Sequence, residues 1–106
     1  MPVTECESKN EYEAQLANNG SKLIVVDFTT ARCELCKLIK PKFYKLSKAY
    51  PHVVFLKVDV DENSEIAAEW GISAMPTFIY IKNRGKVDEL VGTNAVELEA
   101  KINKNR

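Results

Sequence analysis

Cys33 and Cys36 stand two residues apart in the stretch ARCELCK, and the chain has one further cysteine, Cys6. Three chemistries use such a pair: half of a metal site, a redox dithiol, or two small buried thiols. A structural zinc needs four ligands. Beyond the pair, the chain offers only the remote Cys6 and one histidine, His52. Two inert core cysteines would simply pack as small hydrophobes. The redox reading is favoured, because Cys-x-x-Cys at the strand-to-helix turn of a βαβ unit is a specific signal. The first turn of a helix has free N–H groups, and its dipole favours negative charge. A thiol placed there loses its proton more easily, and the thiolate is the reactive form. Cys33, at that junction, is therefore the better nucleophile. Cys36 lies one turn later on the same side, can close a disulfide with Cys33, and is the better resolving thiol.

The pair must be positioned by the elements around it. KLIVVDFTT, just before it, is apolar and β-branched at successive positions, the pattern of a strand covered on both faces. After it, Ile39, Phe43, Leu46 and Tyr50 recur at helical spacing, so residues 33–50 read as a long helix that Pro41 is expected to kink. SKNEYEAQLANNG reads as a helix capped by Ser8 and ended by Gly20. HVVFLKVDV is a second buried strand, and SEIAAEW a short helix with Ser64 as its cap. TFIYI, KNRGK and KVDELV read as a hairpin with Gly85 supplying the turn. NAVELEAKINK closes the chain as a helix with Val96, Leu98 and Ile102 on its inner face. This order predicts an α/β fold: one mixed sheet, parallel in its βαβ half, with helices on both faces.

At 106 residues the chain is expected to be one domain, residues 1–106, large enough for a single core. Lys+Arg and Asp+Glu are both 15, so no large net charge favours nucleic acid or an anionic membrane. The longest apolar run, LIVV, is far too short to span a bilayer. No basic segment followed by an apolar one opens the chain, which argues against a secretory signal. Three cysteines do not make a secreted disulfide framework, and a reducing, cytoplasmic setting is expected.

VVDFTTARCELCKLIKPKF, FLKVDVDEN, AMPTFIYIKNRGK and LVGTNAVELEAKI together resemble the thioredoxin family, most closely its animal cytosolic type, over nearly the whole chain. The resemblance implies five strands flanked by four helices and a protein thiol–disulfide oxidoreductase working in cell redox homeostasis and electron transport. It implies no bound cofactor and no metal. Disulfide-containing proteins are the expected substrates, a thioredoxin reductase or a glutathione system the expected electron donor, and a monomer the expected state.

The resemblance also gives roles to single residues. Asp27 interrupts the apolar run LIVVDF. As a strand-end Asp it would face solvent, but buried and unpaired it would tend to take up a proton. The family match places it behind Cys36, to accept that thiol's proton through water. Lys57 matches the family's neighbour of this Asp, so burial should raise the Asp27 pKa and Lys57 should lower it. Pro76, in AMPT, would be trans by default. The resemblance implies a cis-proline that faces the dithiol and turns the Met75 backbone towards an extended substrate segment. Gly92 matches a position lining the same groove and reads equally as a strand-end glycine. Ala74 stands where the animal cytosolic type often has an extra cysteine, so a thiol switch there is not expected. Trp70 is read as helix-end packing, His52 as a surface residue and Cys6 as structural.

The usual family motif is Trp-Cys-Gly-Pro-Cys, and this chain instead has Arg32, Glu34 and Leu35 around its two cysteines. A flexible cation replaces the flat ring that the family uses for docking. Leu35 lacks the constraint by which proline pre-sets a helix start. Arg32 should favour the Cys33 thiolate and Glu34 oppose it. The expectation is a Cys33 pKa below the free value and a dithiol somewhat less reducing than Gly-Pro members. The alternative is a binding module that keeps the fold but has narrowed or lost general reductase activity, with Arg32 and Glu34 selecting a partner by charge.

Overall fold

The computed structural model describes residues 2–106. In chain order the elements are β1 (Val3–Glu5), α1 (Lys9–Asn18), β2 (Ile24–Thr29), α2 (Glu34–Ala49), β3 (Val54–Asp59), α3 (Ser64–Glu69), β4 (Thr77–Lys82), β5 (Gly85–Val91) and α4 (Ala95–Asn105). The five strands form one sheet in the order β1-β3-β2-β4-β5. β1, β3 and β2 run parallel, whereas β4 and β5 are antiparallel additions. This is the mixed α/β architecture read from the sequence, with the five strands and four helices that the family resemblance implies.

Strand periodicity divides the core into two layers. Along β2, Ile24, Val26 and Phe28 face one side, where Tyr12 and Leu16 of α1 and Ile66 of α3 cover them. Val25 faces the other side, against Ile39, Phe43 and Leu46 of α2 and Leu98 and Ile102 of α4. Alternation then puts Asp27 on the α2 side, with Val25. Phe55 of β3 also faces α2, and Lys57, two residues on, shares that face. Asp27 and Lys57 are direct register partners.

Four local expectations are corrected. β1 was not evident in the sequence, because three residues are too few to display a period, yet Val3 is buried and pairs with Phe55. The β4–β5 turn takes its left-handed residues from Asn83 (φ 53°) and Arg84 (φ 64°), not from Gly85, which begins β5. Asn is well suited to that region. The N-cap of α3 is Asn63, not Ser64, and it makes no side-chain capping bond. Its amide instead donates to the carbonyls of Cys6 and Asp59, joining the helix start to the β1 end. Val96 is exposed, because the inner face of α4 is drawn by Ala95, Leu98 and Ile102, spaced three and four apart. α2 is continuous through Pro41.

Candidate active site

Cys33 is the N-cap of α2, and its Sγ accepts the backbone N–H of Cys36 at 3.1 Å. A sulfur occupies the place where Ser, Thr or Asp usually satisfies a free N–H. Cys33 and Cys36 are joined as a disulfide across 5.2 Å between Cα atoms. Cys33 is partly exposed and Cys36 is buried, so a partner sulfur meets Cys33 first.

Beneath Cys36 lies a cleft of about 190 Å³, lined among others by Asp27, Lys57, Asp59, Lys37, Lys40 and Tyr44. Asp27 is buried, and its Oδ1 has no hydrogen-bond partner among the described residues. Burial raises its pKa to about 7, with Lys57 acting in the opposite direction. Desolvation therefore outweighs the cation, which settles the balance the sequence left open. A carboxyl with that proton affinity can hold and release a proton near neutral pH.

Pro76 follows a cis peptide bond from Met75, and both sit at the sheet end that carries the dithiol, since Thr77 pairs with Phe28. Gly92 has φ 108°, and its N–H donates to the Pro76 carbonyl at 3.0 Å. A side chain at position 92 would be strained by that φ. Ala74 is exposed, and its carbonyl accepts the Thr77 hydroxyl.

Arg32 and Glu34 do not converge on Cys33. The Arg32 guanidinium donates to Asp61 Oδ2 at 3.2 Å, and the Thr30 hydroxyl donates to the same oxygen at 2.6 Å. These two hydrogen bonds, Thr30 foremost, hold the Asp61 carboxyl below its usual range. Glu34 pairs with Lys37 at 3.5 Å. Both charges thus have local partners.

Thr30, Lys40, Tyr44, Asp59 and Asp61 belong to this neighbourhood but were not singled out in the sequence. Lys40 lies one helical turn after Cys36, so its i+4 spacing was the available signal. Asp61 is remote in sequence and carried none. Elsewhere, the Trp70 indole N–H donates to the Tyr12 hydroxyl at 2.7 Å, which agrees with its reading as packing. Cys6 is a free, buried thiol whose pKa burial raises to about 11, which keeps it protonated and unreactive.

A sheet of this order with a capped Cys-x-x-Cys over a proton-holding carboxyl defines a dithiol oxidoreductase of the thioredoxin fold. The comparisons with known proteins narrow this class. The Thioredoxin family model matches residues 3–104. Horse thioredoxin (Equus caballus) is 48% identical over 100 residues, covering 94% of this chain and 95% of its own. Human thioredoxin is 46% identical over 101 residues, covering 95% and 96%. Among solved structures, thioredoxin NaTrxh from Nicotiana alata is 40% identical with TM-score 0.96, covering 99% of this chain and 93% of that one. Fasciola hepatica thioredoxin is 39% identical with TM-score 0.94, covering 97% and 99%. The chain belongs to the thioredoxin family. It is a thiol–disulfide oxidoreductase that acts on disulfide substrates.

Proposed function

We propose that Cys33 is the attacking thiol of a protein-disulfide reductase, Cys36 the resolving thiol and Asp27 the base that serves it. In the reduced protein the Cys33 thiolate attacks a substrate disulfide. A Cys33–substrate disulfide forms, and one substrate sulfur leaves as a thiolate and takes a proton from water. Asp27 accepts the Cys36 proton. The Cys36 thiolate then attacks the Cys33 sulfur, the second substrate sulfur leaves, and the protein ends as the Cys33–Cys36 disulfide. Two electrons have passed to the substrate, and an external dithiol or reductase returns them. The observation that carries this reading is the Cys33–Cys36 disulfide at the start of α2, with Cys33 partly exposed and the buried Asp27 in the same cleft as Cys36.

Lys57 tempers the Asp27 proton affinity. Ala74, Met75, Pro76 and Gly92 form the groove along which an extended substrate segment pairs. Arg32, Glu34 and Leu35 adjust potential and partner choice. The protein works as a monomeric, single-domain carrier in the cytoplasm, in electron transport from a thioredoxin reductase or a glutathione system. Among the described residues no helix is long and apolar enough to cross a membrane.

The Arg32–Asp61 pair supports a second reading, a module narrowed to few partners, because a charged, exposed pair stands beside the nucleophile where charge can select a partner. Insulin reduction, driven by dithiothreitol or by a thioredoxin reductase, separates the two. Turnover with dithiothreitol is expected. Absence of turnover with both reductants, while a partner still binds the Cys33→Ser, Cys36→Ser protein, would replace the reductase reading with the narrower one.

A further inference from the structure

Among the described residues the exposed large apolar side chains are Leu35, Leu38, Val87, Val91 and Val96. Val87 and Val91 lie on β5, whereas the other three lie on α2 and α4. Leu35 is 52% exposed, Leu38 71% and Val96 81%. Leu35 and Leu38 are three apart on α2, so they neighbour one another on one helix face. Val96 lies in the first turn of α4. The two helices run in the same direction: Lys42 reaches Glu99 at 3.2 Å, and further along Tyr50 accepts from Asn103 and carries the Arg106 guanidinium 5.3 Å over its ring. One turn back from the Lys42–Glu99 pair, Leu38 is level with Ala95 and Val96. A further turn back along α2 lies Leu35, in the first turn of the helix beside its N-cap Cys33. The bordering charges are already matched, Glu34 with Lys37 and Lys42 with Glu99. An apolar centre with a polar, self-compensated rim is how recognition surfaces are built.

We infer that Leu35, Leu38 and Val96 form an apolar ridge on which a protein substrate rests an apolar segment flanking its disulfide. This rests on the reductase reading above. The occupant follows from continuity with the reaction. A sulfur that bonds Cys33 brings its own chain across the start of α2, because Cys36 is buried and the cleft beneath it is too narrow for a polypeptide. Leu35 is two residues from the reacting sulfur. On the other side of Cys33, position 32 offers a guanidinium tied to Asp61, so apolar contact is available on the α2–α4 side. Residue 96 faces outward for that contact although a valine there reads from sequence as core.

The test uses Leu38→Ser and Val96→Ser, singly and combined, with Val87→Ser on β5 as an exposed apolar control. Rates are measured with insulin as the protein disulfide and with hydroxyethyl disulfide, which is too small to span the ridge. The combined variant is expected to raise the KM for insulin about three- to tenfold, from the apolar area withdrawn from the contact. Its kcat/KM for hydroxyethyl disulfide is expected to match the unaltered protein, as are both rates of Val87→Ser. Unchanged insulin kinetics would overturn the ridge, as would an equal loss on both substrates. A dimer in sedimentation that the combined variant abolishes would assign the ridge to a second copy and overturn the substrate assignment. Failure of the unaltered protein to reduce either disulfide would instead remove the reductase reading, and the ridge with it.

Discussion

Cys33 presents its sulfur to the free N–H of Cys36 at the start of α2, and a thiolate there gains a charge-assisted hydrogen bond. Arg32 and Glu34, on either side of that sulfur in sequence, are paired with Asp61 and Lys37. Thiolate absorbance of the reduced protein against pH is expected to place the Cys33 pKa below the roughly 8.5 of free cysteine. A value at or above it would contradict the helix-start account. Asp27 carries a stability cost at neutral pH. Its folded pKa of about 7 lies above the ordinary value of 3.8, so the folded chain binds the extra proton. Its contribution is most favourable below about pH 4 and is lost as pH rises through 7, a swing on the order of 4 kcal/mol. Asp27→Asn is expected to unfold at higher urea than the parent at pH 8, with the gap closing towards pH 4, while insulin reduction slows. Equal midpoints across that range would mean Asp27 ionises freely. Residue placement was legible to different depths: the Cys pair from its spacing, Asp27 from being the one acid in an apolar strand. Asp61 was not legible, because a residue on another loop joins the site only once β2 and β3 are side by side.

At the scale of elements, one carboxylate ties α4 to β5 beside the apolar packing of Leu90 with Leu98 and Ile102. Asp88 is largely buried and accepts Lys101 Nζ at 2.9 Å and Asn105 Nδ2 at 2.9 Å. Burial opposes its ionisation, but these bonds and the Glu89 N–H bring its pKa down to about 2. With a folded pKa below the ordinary 3.8, its stabilisation is present above about pH 4 and lost as pH falls through 2. Asp88→Asn is expected to cost about 1–2 kcal/mol in urea unfolding at pH 7 and much less at pH 2. An equal cost at both pH values would show that charge is not what joins α4 to β5. Helix existence was legible from periodicity, as with Ile39, Phe43 and Leu46. Cap details were not. Asn63 and Ser64 are equally good caps in sequence, and the choice follows from Asn63 reaching the Cys6 carbonyl across the fold. Val96 was misplaced for a related reason: a valine beside the inner stripe reads as core until α2 fixes which side of α4 is covered.

Over the whole molecule, stability is uneven because the sheet is. β2 and β4 are central and almost entirely buried, while β1 is a three-residue edge. Native-state hydrogen exchange is expected to show amides of β2, β3 and β4 opening only with global unfolding, and those of β1 and α3 opening earlier. Early exchange in β2 would mean that the strand before the dithiol is not the rigid support the site requires. The overall topology was largely readable, since alternating strand and helix patterns admit few arrangements. The short β1 escaped, as pairing rather than pattern creates it. The claim on which the rest depends is that Cys33 attacks and Cys36 resolves. Intact-mass analysis of the Cys36→Ser protein after reaction with a disulfide-bonded protein tests it most directly. A stable one-to-one mixed disulfide on Cys33 is expected, with no corresponding adduct on the Cys33→Ser protein. An adduct that accumulates on Cys33→Ser and not on Cys36→Ser would reverse the two roles and contradict the account.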